Sequence, residues 1–132
     1  MGVIVLIVDD DDSVRFFHRV IVTRSKLSSR PISFGSGEKA LDYLDQNCSE
    51  NDLYLILLDI NMPGMNGWDL VDAIGGKTYH NQVYIVMVTS SVDREDHEKA
   101  KSYDMIIDVI EKPISDEECK KIMNSSLITQ YL

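Results

Sequence analysis

The sequence is sparing in several residue types, and each scarcity narrows its class. There are 2 cysteines, 3 prolines, 3 histidines and 1 tryptophan in 132 residues. Cys48 and Cys119 form no CxxC pair and show no metal-ligand spacing with each other or with His18, His80 and His97. That disfavours a disulfide framework and a zinc site, and it reads as reduced thiols in a cytoplasmic protein. Positive charge is also scarce: 13 Lys and Arg stand against 22 Asp and Glu, for a net charge of −9. Nucleic acid and anionic membranes both demand a basic patch, so neither is expected as a partner. Long apolar runs are missing. The most apolar stretch, residues 2–8, is too short for a bilayer, and it runs into Asp9 and Asp10 rather than a signal-peptide cleavage site. No lipidation motif stands at either end.

What is present reads as one globular domain. Hydrophobic residues make up 44% and charged residues 27%, which counts against disorder. A chain of this length can bury on the order of 68% of its unfolded surface, and residues 1–132 are expected to form a single domain. Apolar, β-branched runs at 3–8, 31–34, 53–58, 83–88 and 106–110 alternate with segments of helical spacing. Val14, Phe17, His18 and Ile21 share one face of the first helix, with Ser13 as its expected N-cap. Leu41, Leu44 and Asp45 follow Ser36, the expected cap of the second. The third helix is expected over 67–74, ended by Gly75 and Gly76. A strongly charged fourth spans 93–103 and a fifth 116–127. The α/β order, β then α five times, predicts a doubly wound five-stranded parallel sheet with helices on both faces.

Such sheets carry their sites beyond the carboxyl ends of the strands. The first strand ends in Asp9 and Asp10, the third in Asp59, the fourth in Thr89 and Ser90, the fifth in Lys112 and Pro113. The second ends in Gly35 and Ser36, without charge. Taken singly, each has an ordinary reading. Asp9, Asp10, Asp11 and Asp12 suit an acidic helix entry, Asp59 a turn, Thr89 a strand end and Lys112 a solvated surface. The agreement of four strand ends is what carries the argument.

Three converging carboxylates repel by roughly 4 kcal/mol per close pair at an effective dielectric of 20. Either their pKa values rise or a cation neutralises them. Hard oxygen ligands favour Mg²⁺; no EF-hand pattern supports Ca²⁺. A carboxylate beside Mg²⁺, with a hydroxyl and an ammonium nearby, suits attack on a phosphoryl group. Asp59 is the expected nucleophile, with Thr89 and Lys112 on the phosphoryl oxygens and an energy-rich aspartyl phosphate as product. Asp11 and Asp12 keep the helix-entry role.

In order and spacing, Val8-Asp9-Asp10, Leu58-Asp59-Ile60-Asn61-Met62-Pro63-Gly64-Met65-Asn66-Gly67, Val88-Thr89-Ser90 and Glu111-Lys112-Pro113 resemble a response-regulator receiver domain (CheY-like) of two-component signalling. The resemblance covers essentially the whole chain and implies the flavodoxin-like strand order 2-1-3-4-5. It implies that Asp59 is the phosphoacceptor and that Asp10 binds Mg²⁺, assisted by Asp9 and by the Asn61 carbonyl. Thr89 and Lys112 would hold the phosphoryl group, small Ser90 would leave room for it, and Lys112-Pro113 would be a cis peptide. Asn61 and Ser91 occupy the positions that tune phosphoryl lifetime.

The implied donor is a phosphohistidine on a sensor histidine kinase or histidine phosphotransfer protein, and the target an unidentified protein. The role is that of a regulator with slow self-dephosphorylation, not an enzyme acting on other molecules. Two departures stand out: Val109 replaces the usual aromatic residue of the fifth strand, and residues 103–106 replace a Gly-Ala pair. The fourth helix is still expected to move, with Val109 or a neighbour repacking, although its charged face reads as solvated. Trp68 is expected to pack against the domain. Because the sequence ends at Leu132, just past the fifth helix, it reads as a stand-alone receiver. Two other readings make different demands on these residues. A Mg²⁺-dependent phosphohydrolase would carry a second Asp where Asn61 stands, and a nucleotide or flavin binder would need a phosphate-cradling first loop in place of residues 9–12.

Overall fold

The structure, a computed structural model, describes residues 2–90 and 93–131. In chain order the elements are β1 (Gly2–Val8), α1 (Asp12–Arg24), β2 (Ile32–Phe34), α2 (Gly37–Asn47), β3 (Asp52–Leu58), α3 (Gly67–Gly75), β4 (Val83–Thr89), α4 (Arg94–Ala100), β5 (Ile106–Glu111), α5 (Asp116–Met123) and α6 (Ser126–Thr129). The five strands pair in parallel in the order β2-β1-β3-β4-β5. The chain therefore builds outward in one direction from β1 to β2 and in the other from β1 through β3 to β5. Loops leaving β1 and β3 diverge at that reversal and leave a crevice at their carboxyl ends.

Period-two alternation divides the apolar strand residues between two cores. Leu6, Val8, Ile56 and Leu58 face α2, α3 and α4 through Ala40, Leu44, Leu70, Val71, Ile74 and Ala100. Val5, Ile7, Leu55 and Leu57 face the opposite helices through Ile21, Val22, Cys119, Ile122 and Ile128. Each fully buried aliphatic side chain contributes roughly 1.5–3 kcal/mol. This two-sided burial is why the central strands are apolar almost without interruption, and why a polar residue at a strand end stands out.

Several local expectations are corrected. Asp11, not Ser13, caps α1: its carboxylate accepts from the Ser13 and Val14 amides, and the negative charge complements the helix N-terminus. The buried stripe of α1 is His18, Ile21 and Val22, while Phe17 is 45% exposed. Asp45 lies in α2 as expected, and on the surface it takes bonds from Lys77 Nζ and Tyr79 Oη. β2 starts at Ile32, since Pro31 has no N–H for the ladder. α4 closes at Ala100, and the fifth helix stops at Met123, where extended Ser125 separates it from α6. Ser36 does cap α2 through the Lys39 amide.

Candidate functional site

β1, β3, β4 and β5 converge at one edge of the sheet, and each delivers a polar group there. The backbone sets the spacing first. The Asp59 amide donates to the Val8 carbonyl at 2.9 Å, and the Lys112 amide to the Thr89 carbonyl at 2.7 Å. These bonds extend the ladders just past the strands, locking the residue after β3 to β1 and the residue after β5 to β4.

Asp9, Asp10 and Asp59 each offer a carboxylate oxygen, and these lie within 4.8 Å of one another. Asp9 and Asp59 are 3% and 4% exposed, whereas Asp10 is exposed. Asp9 Oδ1 accepts from the Asp11 amide at 2.9 Å, and Asp59 Oδ1 from the Asn61 amide at 3.3 Å. Lys112 Nζ reaches both buried carboxylates, Asp9 Oδ2 at 2.7 Å and Asp59 Oδ1 at 3.4 Å. One ammonium against three carboxylates leaves an excess of negative charge. A hard divalent cation that takes oxygen ligands is suited to offset it.

The electrostatics register this crowding. Burial, then the neighbouring Asp9 carboxylate, pushes the Asp59 pKa up to about 6; Lys112 and the Asn61 amide oppose the rise. For Lys112, burial favours the neutral amine, but the bonds and charges of Asp9 and Asp59 overcome it and leave its pKa raised. The lysine stays a cation.

Thr89, at the end of β4, is fully buried, and its Oγ1 has no hydrogen-bond partner among the described residues. A buried hydroxyl left unpaired costs about 1–3 kcal/mol. This hydroxyl ends β4 at the same sheet edge as two buried carboxylates and a lysine, and it is free to donate to another oxygen atom. Ser90 is exposed at the rim, and Asn61 is exposed beyond Asp59. Ser91 lies outside the described residues.

Two glycines shape the loop after β3. Gly64 takes φ +69°, a left-handed conformation that glycine adopts without strain. A Cβ on Gly67 would lie 2.6 Å from the Asp59 carbonyl oxygen and 2.9 Å from Ile60 Cα. No side chain fits there, so α3 starts directly behind Asp59. The next residue, Trp68, is 9% exposed and stacks on Tyr103 at a centroid distance of 5.9 Å, with Lys99 Nζ 4.6 Å from its ring centre. The otherwise solvated α4 is thereby clasped to α3.

The Lys112-Pro113 bond is cis. Val109 is 7% exposed and pairs with Met87 on β4. A register shift between Ile85 and Val86 sets that pairing. A groove of about 230 Å³, lined by His97, Ala100, Lys101 and residues 106–109, runs beside it.

Two contributors were not read from the sequence. Arg15 Nη1 donates to the Asp9 carbonyl at 2.6 Å while the same guanidinium pairs with Asp12. His18 accepts the Ile114 amide at 3.3 Å through Nε2. The i,i+3 spacing of Asp12 and Arg15 is visible in sequence; the bridge from α1 to the β5–α5 turn is not.

The family model for the response regulator receiver domain matches residues 5–124. The chain belongs to that family. It is similar, at 28% identity over 120 residues, to the cyclic di-GMP phosphodiesterase response regulator RpfG of Xanthomonas campestris pv. campestris; the match covers 91% of this chain and 30% of that protein. The chain thus spans about a third of that curated relative.

Among solved structures, a two-component response regulator from Cytophaga hutchinsonii superposes with a TM-score of 0.82 at 28% identity, covering 93% of this chain and 95% of that one. A CheY-like receiver domain protein from Methanospirillum hungatei is 32% identical with a TM-score of 0.69, covering 91% and 90%. This chain is therefore a regulatory receiver domain of two-component signalling. Receiver domains bind Mg²⁺ at an acidic pocket, and Asp9, Asp10 and Asp59 form such a pocket here. Among the described residues no helix is long and apolar enough to cross a membrane.

Proposed function

We propose that residues 1–132 form one receiver domain that accepts a phosphoryl group on Asp59 from a phosphohistidine donor and uses it to switch a protein-binding surface. The observation that carries this reading is the orphaned, fully buried Thr89 Oγ1 on the same edge as Asp59 and Lys112. Asp59 sits at the end of β3 with Oδ1 held by the Asn61 amide. Its carboxylate oxygen attacks phosphorus as the bond to the donor imidazole breaks, and the departing imidazole keeps the electron pair. Asp9, Asp10 and Asp59, with the Asn61 carbonyl, would hold Mg²⁺. Bound there, the ion offsets the negative charge of the carboxylates and of the incoming phosphoryl oxygens.

Lys112 exchanges its bond to Asp9 for a phosphoryl oxygen, Thr89 Oγ1 donates to another, and Ser90 leaves room at the rim. Both donors already stand at the edge that carries Asp59, so only short side-chain adjustments bring them onto the charge that develops in the transition state. Water slowly hydrolyses the aspartyl phosphate and returns the carboxylate.

The exposed edge of α1 suits the docking of a sensor histidine kinase or histidine phosphotransfer protein. Phe16 and Val20 are 70% and 42% exposed. Phe17 continues into a groove of about 450 Å³ that it shares with Ser13, Val14, His18, Lys112 and Pro113. Apolar surface of that kind beside Lys112 offers a donor protein a landing site next to the chemistry. On the other side of the site, Thr89 turning toward a phosphoryl oxygen would leave β4 to repack against Val109 and shift α4 for a downstream protein. A cytoplasmic setting fits the two free cysteines, Cys48 and Cys119.

The test is uptake from acetyl phosphate followed over time, with and without MgCl₂. Stoichiometric loading that needs Mg²⁺ and decays slowly after donor removal supports the reading. Rapid release of many phosphates per protein, with no loaded species, would make the domain a hydrolase instead.

A further inference from the structure

The turn that carries Lys112 has an unusual dependence on one buried histidine. After β5 the chain passes through Lys112, Pro113 and Ile114 before α5 is capped at Ser115. The Lys112 amide is spent on the Thr89 carbonyl. Pro113 has no N–H to give. The Ile114 amide is buried, and an unpaired buried N–H is rare because it costs the desolvation of that group. Its acceptor is not backbone but His18 Nε2 on α1, at 3.3 Å and 96 residues away in sequence. His18 and Ile114 are 2% and 1% exposed.

We propose that His18 is a positioning residue for Lys112, holding the Ile114 amide so that the Lys112 ammonium stays aimed at Asp9 and Asp59. The turn is then pinned on both sides of Pro113: to β4 through the Lys112 amide, and to α1 through the Ile114 amide. To accept that bond the imidazole must be neutral, with its proton on Nδ1. Its surroundings agree. Burial lowers the His18 pKa, Lys112 adds to the lowering, and Asp9 opposes both. Anchoring from α1 also joins the turn to the helix whose half-exposed Phe17 lines the groove beside Lys112 and Pro113.

The inference rests on Lys112 acting on the phosphoryl group, and the experiment separates the two. His18→Leu keeps an apolar body of similar size but removes the acceptor; His18→Gln restores one. Three quantities are measured on the full chain: hydrogen exchange at the Ile114 amide, the Lys112 Cε and Nζ NMR signals, and the rate of phosphoryl uptake from acetyl phosphate at saturating MgCl₂.

The expected result is fast Ile114 exchange, shifted Lys112 signals and roughly tenfold slower uptake in His18→Leu, with His18→Gln close to wild type. In a Lys112→Ala background, His18→Leu should slow uptake no further, because its effect runs through the lysine. A merely structural histidine would add its cost in both backgrounds.

Wild-type uptake speed in His18→Leu, or an added loss on Lys112→Ala, would overturn the inference. So would an unprotected Ile114 amide in the wild-type protein, which decides the matter even if His18→Leu does not fold. If the wild-type chain takes up no phosphoryl group, the phosphoacceptor reading fails separately. The Ile114 exchange and the Lys112 signals then judge the role of His18 alone.

Discussion

Lys112 Nζ lies 2.7 Å from Asp9 Oδ2 and 3.4 Å from Asp59 Oδ1, so the lysine is bound more tightly to β1 than to the proposed phosphoacceptor. This ordering leaves Asp59 partly free for chemistry while its charge is still compensated. Removing the lysine leaves two buried carboxylates without a cation. Lys112→Met is expected to destabilise the fold by about 3 kcal/mol at pH 8 in EDTA. The loss shrinks at pH 5, where Asp59 takes up a proton. Urea unfolding at the two pH values checks the direction. An equal loss at both would mean that the lysine is held for its packing.

Asp59 itself is expected to cost stability at neutral pH. Its folded pKa of about 6 lies above the ordinary 3.8. Between those values the folded state binds more protons than the unfolded state, so stability falls as pH rises from 3.8 to about 6, and the cost is absent at low pH and fully present above about pH 6. Asp59→Asn removes the cost while its amide oxygen still accepts from Asn61. The variant should be more stable than wild type by about 2 kcal/mol at pH 7.5 in EDTA, with little difference at pH 4. Thermal melts across that range give the measurement.

Most of the fold was legible because the sheet is covered on both faces. Two-sided burial turns β1, β3 and β4 into nearly unbroken apolar runs, and Asp9, Asp59 and Thr89 then stand out as the residues that end them. The family motif supplied the roles expected of those residues. Misreadings cluster where local signals compete. Asp11 and Ser13 are both good caps, and the choice turned on which side chain reaches the free amides. Periodicity groups Phe17 with Val14, His18 and Ile21 on one face, but the buried stripe of α1 turns toward His18, Ile21 and Val22. His18 was invisible as a functional residue because its partner, the Ile114 amide, lies on the far side of the sequence.

Thr89→Val tests the unpaired hydroxyl. The exchange is close in shape and removes a buried polar atom that has no partner among the described residues, so the fold should be unchanged or gain about 1 kcal/mol. Phosphoryl uptake from acetyl phosphate should nevertheless slow by roughly ten- to a hundredfold, the value of one hydrogen bond to a charged group. A less stable variant with undiminished uptake would place the Thr89 hydroxyl in the structure instead of the chemistry.

The exposed face of α1 separates protein donors from small ones. Phe16→Ser with Phe17→Ser should reduce uptake from a phosphorylated histidine phosphotransfer protein by roughly tenfold, as expected for the loss of apolar anchors. Uptake from acetyl phosphate, which needs no docking, should stay at the wild-type rate. Equal slowing with both donors would show that the phenylalanines support the site from within.

The central claim is that Asp59 carries the phosphoryl group. Incubation with acetyl phosphate and MgCl₂, followed by intact-mass measurement, tests it most directly. The wild-type chain should gain one phosphoryl group and lose it on standing, while Asp59→Asn gains none under the same conditions. An adduct of equal yield in Asp59→Asn, or none in the wild type, would contradict the account.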